Sequence, residues 1–121
     1  MPDIETSSRH QKAVLWAYAD HDRHGRVQVS AGIELTVRWE TVTRTITGDD
    51  GTPVGIDVVA IVDRVVTSES IMWLGKLADV PSPTTNLMQV ETSEVIPDIK
   101  GRVTQYAVLL KRYGAGLPEI I

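Results

Sequence analysis

Ile33-Glu34-Leu35-Thr36-Val37-Arg38-Trp39-Glu40 decides the fold. Four apolar residues, Ile33, Leu35, Val37 and Trp39, alternate with four polar ones. That period of two is the mark of a strand with one buried face. A threonine-rich continuation leads to Gly48-Asp49-Asp50-Gly51. Beyond it Val54, Ile56, Val58, Ala60 and Val62 again occupy alternate positions. An Asp-Gly step between two alternating runs predicts a β-hairpin. Residues 33–66 therefore read as one long antiparallel hairpin, and the rest of the chain as what covers its apolar face.

Two features complicate this hairpin. The apolar phase changes from odd positions (Ile33 to Trp39) to even ones (Val42, Ile46), which no regular strand can keep on one face. A bulge near Thr41 resolves it, or else the outer half leaves the core and presents Thr41, Thr43 and Thr45 elsewhere. On the returning strand Val59, Ile61 and Val65 share a side with Asp57 and Asp63. Strands that are apolar on both sides belong in a closed barrel, a sandwich or a subunit interface.

The flanking sequence is also strand-like. Residues 1–10 read as a loose polar arm. Residues 11–18 fit a short strand, with a helical turn as the alternative. Asp20-His21-Asp22-Arg23-His24-Gly25-Arg26 is a turn, and Val27-Gln28-Val29-Ser30 a returning strand, with Ala31-Gly32 a possible bulge. Ile71-Met72-Trp73-Leu74-Gly75 is a short apolar strand. Residues 76–102 hold Pro81, Pro83 and Pro97 and read as a long irregular arm in which Leu87-Met88-Gln89-Val90-Glu91 forms at most one strand. Residues 103–113 make the last strand, and residues 119–121 a short tail. The expectation is a single all-β domain of 121 residues, a small antiparallel barrel or sandwich of about six or seven strands with an extended loop arm.

Composition narrows the function classes. The chain is 42% hydrophobic and 23% charged, as in an ordinary globular domain. With no cysteine there is no disulfide, thiolate metal site or cysteine nucleophile. The start, Met1-Pro2-Asp3-Ile4-Glu5, has no apolar signal-peptide core, so cytoplasmic synthesis and no membrane association are expected. A net charge of −4 and 5% aromatics, with no Phe, argue against duplex grip and single-strand stacking.

No catalytic motif is present, and the chain reads as non-enzymatic without a cofactor. Asp20, His21, Asp22 and His24 form the densest metal-capable cluster. A calcium loop fails at its twelfth position, Ala31, and zinc lacks further histidine ligands beyond His10. A polar turn explains the same residues. Gly114-Ala115-Gly116 lacks the rest of a dinucleotide fingerprint, and no serine sits in a Gly-x-Ser-x-Gly elbow. Among the tryptophans, Trp39 and Trp73 are expected in the core near one another. Trp16 has two readings, core or exposed anchor for a partner. Leu77, Val80, Leu87 and Met88 suit a contact arm better than solvent.

The order of features resembles the small head-completion proteins of tailed bacteriophages, called head-tail connector, head-closure or stopper proteins. The resemblance rests on Ala13-Val14-Leu15-Trp16, the turn with Gly25, and Val29-Ser30 with Ile33-Glu34-Leu35. It continues through Val37-Arg38-Trp39-Glu40, the Asp50-Gly51 turn, the strand ending Val62-Asp63, Ile71-Met72-Trp73-Leu74-Gly75 and the strand from Tyr106 to Tyr113. It implies a β-barrel virion structural protein at the neck, synthesised in the host cytoplasm and assembled as a homo-oligomeric ring. The ring would lie between portal or adaptor and tail, close the head, retain DNA without sequence-specific binding and dock the tail. The expected contact residues are Trp16, Arg23, Arg26, Asp49, Asp50, Leu77, Val80, Leu87 and Met88. Removing residues 78–99 is expected to leave a folded barrel. A tail-completion or other neck component is the alternative within phage, and a small metal-binding or hydrolytic β-domain the alternative outside it.

Overall fold

The computed structural model describes residues 11–48, 50–81, 84–96 and 105–121. The expected N-terminal arm, Asp49, the 82–83 and 97–102 parts of the expected loop arm, and residues 103–104 of the expected last strand lie outside the described residues. Nine strands are described: β1 (Gln11–Trp16), β2 (Tyr18–His21), β3 (Val27–Val29), β4 (Ile33–Thr47), β5 (Pro53–Val62), β6 (Ile71–Leu74), β7 (Met88–Ile96), β8 (Gln105–Arg112) and β9 (Glu119–Ile120). Six of them close into an antiparallel barrel in the order β1-β4-β5-β8-β7-β6, and β2-β3-β9 form a second, small sheet. The all-β barrel expected from the alternation is the observed fold.

The interior follows from that alternation. Ala13 and Leu15, Leu35 and Val37, Val58 and Ala60, Met72, Val90, Val108 and Leu110 point into one core, each strand contributing every second residue. Small and large side chains from opposite walls fill the narrow lumen, as a six-stranded barrel requires. Closure is made by β1, which pairs with β4 (Ala13 opposite Leu35) and with β6 (Ala13 opposite Leu74).

The other face of β1 is buried too. Val14 and Trp16 join Val29, Ile71 and Leu87 in a second core outside the barrel wall, flanked by half-buried Val27, Trp73, Val80, Tyr113 and Leu117. Two cores on opposite sides of one wall account for the unbroken apolar run Ala13-Val14-Leu15-Trp16. Between β1 and β2 the chain leaves the barrel. The Tyr18 N–H then donates to the Oγ of Ser70 at 2.9 Å, and the Ala17 carbonyl accepts from the Ser30 N–H at 2.8 Å. Ser70 is fully buried, and its hydroxyl also lies 3.2 Å from that of Thr67.

The change of phase in the long hairpin is a bulge. Thr41 faces Val58 while Arg44 faces Ile56, so β4 carries one residue more than β5 over this interval. β4 meets β1 only over residues 33–37, and β5 meets β8 only over residues 58–62. Beyond those limits the outer hairpin pairs with itself and, among the described residues, with no other strand. At its tip Gly51 takes φ +84, and the Asp50 carboxylate accepts from the Thr52 N–H at 3.1 Å and the Thr52 hydroxyl at 2.6 Å.

The expected loop arm is corrected. Its middle is β7: the one strand allowed at residues 87–91 is present, begins at Met88 and runs on to Ile96 between β6 and β8, with Met88 opposite Arg112 and Ile96 opposite Gln105. The prolines obscured it because Pro81 precedes the strand and Pro97 follows it, so neither removes a ladder hydrogen bond from within. Removal of residues 78–99 would take out a barrel stave and so would not leave the barrel intact. Within the expected arm, irregular structure among the described residues is confined to the stretch before β7, which holds the 3₁₀ turn Leu77–Asp79.

Two substitutions test this architecture. Ser70→Ala leaves the Tyr18 N–H without its acceptor and is expected to lower unfolding free energy by about 1–3 kcal/mol in urea titration. Gly75 has φ +146, and a Cβ there would run into the Trp73 ring. An unstrained glycine-to-alanine replacement stabilises by about 0.4–1 kcal/mol, but strain and the clash reverse the sign here, so Gly75→Ala should destabilise by more than that amount, with the loss read in the same titration.

Candidate functional site

The residues that meet at one end of the barrel belong to no single segment. Here β6 ends, β7 begins, β8 ends, and the bulge of β4 crosses the start of the β5 wall. The result is a cleft of about 540 Å³ at the barrel mouth. Val58 and Met88 floor it, Trp39 and Leu74 stand at its rim, and Trp73 lines it from the β6 side. Trp39 packs by part of its surface on the interior core and Trp73 on the second core, so both indoles are half-buried. They line one cleft but rest on different cores, which refines the expectation that both lie in a common core.

The polar lining is specific. Arg112 lies in alternation with Val108 and Leu110 of the interior core, which carries it to the rim, where it is exposed. Its backbone N–H donates to Asp57 Oδ2 at 3.1 Å, fixing that carboxylate beside the cleft. Asn86 contributes from the loop before β7 and holds a left-handed backbone, φ +59, which asparagine tolerates better than most residues. Thr41 and Thr43 add hydroxyl-bearing side chains from the bulge.

The residues expected at a partner surface divide. Trp16 is 3% exposed, Leu87 1% and Met88 8%. All three are corrected to core: Trp16 and Leu87 fill the second core, and Met88 closes the interior core under the mouth. Periodicity could not place Trp16 because both phases of β1 are apolar and both are buried. Gly32 sits against Trp16, where a Cβ would lie 2.8 Å from the indole nitrogen. Val80 is half-buried against the second core. Leu77 remains 44% exposed, and its N–H donates to Glu34 Oε1 at 2.9 Å. Asp50 is exposed at the hairpin tip, Arg23 and Arg26 are exposed in the 20–26 turn, and Asp49 lies outside the described residues.

The acidic turn that attracts a metal reading is occupied by backbone. Asp22 Oδ1 accepts from the His24 N–H at 2.8 Å and the Arg26 N–H at 2.9 Å. These bonds, that of Arg26 foremost, hold the Asp22 carboxyl below its ordinary range. His21 turns the other way: Nδ1 lies 2.7 Å from the Tyr18 hydroxyl and Nε2 lies 3.4 Å from Glu69. Among the described residues no three His, Cys, Asp or Glu side chains converge as a cation site requires. Arg26 and Asp22 instead line a cleft of about 580 Å³ against Tyr113, Leu117 and Glu119.

No protein-family model matches the chain, and no curated protein matches it.

Burial separates the two kinds of apolar residue experimentally. Trp16→Ala is expected to cost about 3–5 kcal/mol of stability, whereas Leu77→Ala in the isolated protein should stay within about 0.5 kcal/mol; denaturant titration of both decides. The Asp22 turn makes a pH prediction. Because the folded carboxyl is lowered, its stabilising bonds are complete above the ordinary carboxylate range and are lost as pH falls through the folded value. Protection of the His24 and Arg26 amides, taken relative to their intrinsic exchange rates, should fall over that acid interval, and Asp22→Asn should remove this pH-dependent loss of protection.

Proposed function

We propose that this chain is a non-enzymatic structural protein of the tailed-phage neck, a head-completion protein whose copies form a ring between the portal or its adaptor and the tail. One observation carries this above the others. The outer β4–β5 hairpin leaves the barrel wall at the bulge and offers, among the described residues, two strand edges with no further partner. A ring requires heterologous contacts, in which one surface of a copy meets a different surface of the next. A ribbon whose strand edges are unpaired beyond the bulge, anchored at its base by buried Ile56 and the Arg44–Glu94 ion pair, is suited to reach across such a boundary.

The distribution of exposed apolar side chains supports the same reading. Leu74 and Leu77 lie near the mouth, Val65 and Val95 on other elements, and Ile120 on the edge of the second sheet. Separate small patches suit contacts with several neighbours better than one paired interface does. Charge is compatible with a channel through which DNA slides. The net charge is −4. Arg38 pairs with Glu40 at 2.6 Å and Arg44 with Glu94 at 3.8 Å, leaving fewer free cations to grip phosphates.

The test separates folding from assembly. Replacing residues 45–55 by Asn-Gly keeps the Arg44–Ile56 pair next to a two-residue turn and leaves the barrel registers untouched. In the phage encoding the protein, the variant should keep its strand spectrum and cooperative unfolding, while filled heads fail to join tails. Immunogold label should fall on the neck of tail-less filled heads. Label on free tails would instead assign a tail-completion role. Normal infectious particles from the shortened variant, or no label on any particle, would overturn the neck proposal.

A further inference from the structure

The barrel mouth carries a second inference that does not depend on the neck proposal. Its volume, about 540 Å³, lies within the range of small-molecule sites, and barrel mouths are a recurrent place for them. The chemistry of its lining narrows the ligand. Asp57 and Arg112 supply one charge of each sign. The Asp57 carboxylate is held in place through Oδ2 by the Arg112 N–H. Its Oδ1 takes no hydrogen bond from the described residues. Arg112 makes no ion pair among them.

Three ligand classes fit this lining poorly. A purely apolar ligand would cover both charged groups and give neither a partner, which is unfavourable for each. An anion would be drawn to Arg112 but would face Asp57, and a cation would meet the opposite conflict. A neutral molecule with many hydroxyl groups answers both, since each hydroxyl donates to Asp57 or accepts from Arg112. Asn86 can do either. Its position is fixed, because Leu87 beside it is buried and the Leu87 carbonyl accepts from the Tyr113 N–H at 2.9 Å. The two half-buried indoles complete the match: each has apolar surface left open for the C–H face of a ring.

We infer that the barrel mouth binds a saccharide, a neutral polyhydroxylated ring seated against Trp39 and Trp73 with its hydroxyls shared among Asp57, Asn86 and Arg112. The bulge at Thr41 to Arg44 is the device that opens the site, since it carries β4 away from the wall just where the cleft begins.

Nuclear magnetic resonance titration of the full chain tests this. The panel contains glucose, galactose, mannose, N-acetylglucosamine and their disaccharides, with hexanoate and butylammonium as charged apolar controls. At least one saccharide should produce saturable shifts in the indole N–H signals of Trp39 and Trp73 and the side-chain amide of Asn86. Asp57→Asn and Arg112→Ala should each weaken that saccharide by about tenfold to a hundredfold, the effect of losing a hydrogen bond to a charged group. Both side chains are exposed, so urea midpoints identify any variant that fails by unfolding. Asn86→Ala, which keeps both charges, provides an independent loss of affinity. The inference is overturned if no saccharide gives saturable shifts, if those shifts lie away from the mouth, or if only hexanoate or butylammonium saturates it.

Discussion

Residues 13–16 are the constraint on which the rest of this structure depends. Residues 13–15 pair on one side with β4 and residues 13–16 on the other with β6, and that double pairing turns an open sheet into a barrel. The same four residues are buried on both faces, Ala13 and Leu15 inward and Val14 and Trp16 outward. Closure removes the free edges that an open sheet would expose. The outward face then demands a cover, which Val27 and Val29 of β3 provide together with Val80, Leu87 and Leu117 from the loops. Ser70 ties the two parts together, because its buried hydroxyl takes the Tyr18 N–H at the point where the chain passes from barrel to cover.

Once the wall is closed, the bulge in β4 determines what remains outside it. One additional residue between Thr41 and Arg44 changes which side chains face inward and lets the outer hairpin depart from the barrel direction. Two features follow from that single irregularity. The hairpin becomes a two-stranded ribbon, and the gap it leaves becomes the cleft edged by Trp39 and Arg112. A regular β4 would continue the wall past the end of β8 and narrow the mouth. The proposed assembly element and the proposed ligand site thus arise from one local departure from strand geometry.

Much of the fold was legible in the sequence because its signals are local. The period of two in β4 and β5, the Asp-Gly turn and the phase change near Thr41 all lie within one hairpin. What escaped depends on contacts distant in sequence. β9 is a two-residue strand, and only its parallel pairing with β3 makes it one. The start of β7 was readable at residues 87–91, but its extension to Ile96 and its place in the wall come from β6 and β8 rather than from alternation, which its own bulge interrupts between Val90 and Thr92. Trp16 was ambiguous because burial on both faces erases the polar phase that would reveal orientation. The mouth was not legible at all: Trp39, Asp57, Trp73, Asn86 and Arg112 come from well-separated stretches and are joined only by closure.

The hydrogen bonding of the polar turns has a consequence for where partners and ligands can act. Asp22 and Asp50 look available in the sequence, yet each spends a carboxylate oxygen on nearby groups of its own turn. Both carboxyls are held low by those bonds, so they remain anionic and committed to local geometry. A partner that recruited either would first have to break bonds that shape the turn. Asp57 differs, because its one hydrogen bond among the described residues, from the Arg112 N–H, comes from a neighbouring strand and orients the group without saturating it. Density of acidic residues therefore marks the turns, while an acid fixed across strands and left partly unpaired marks the cleft.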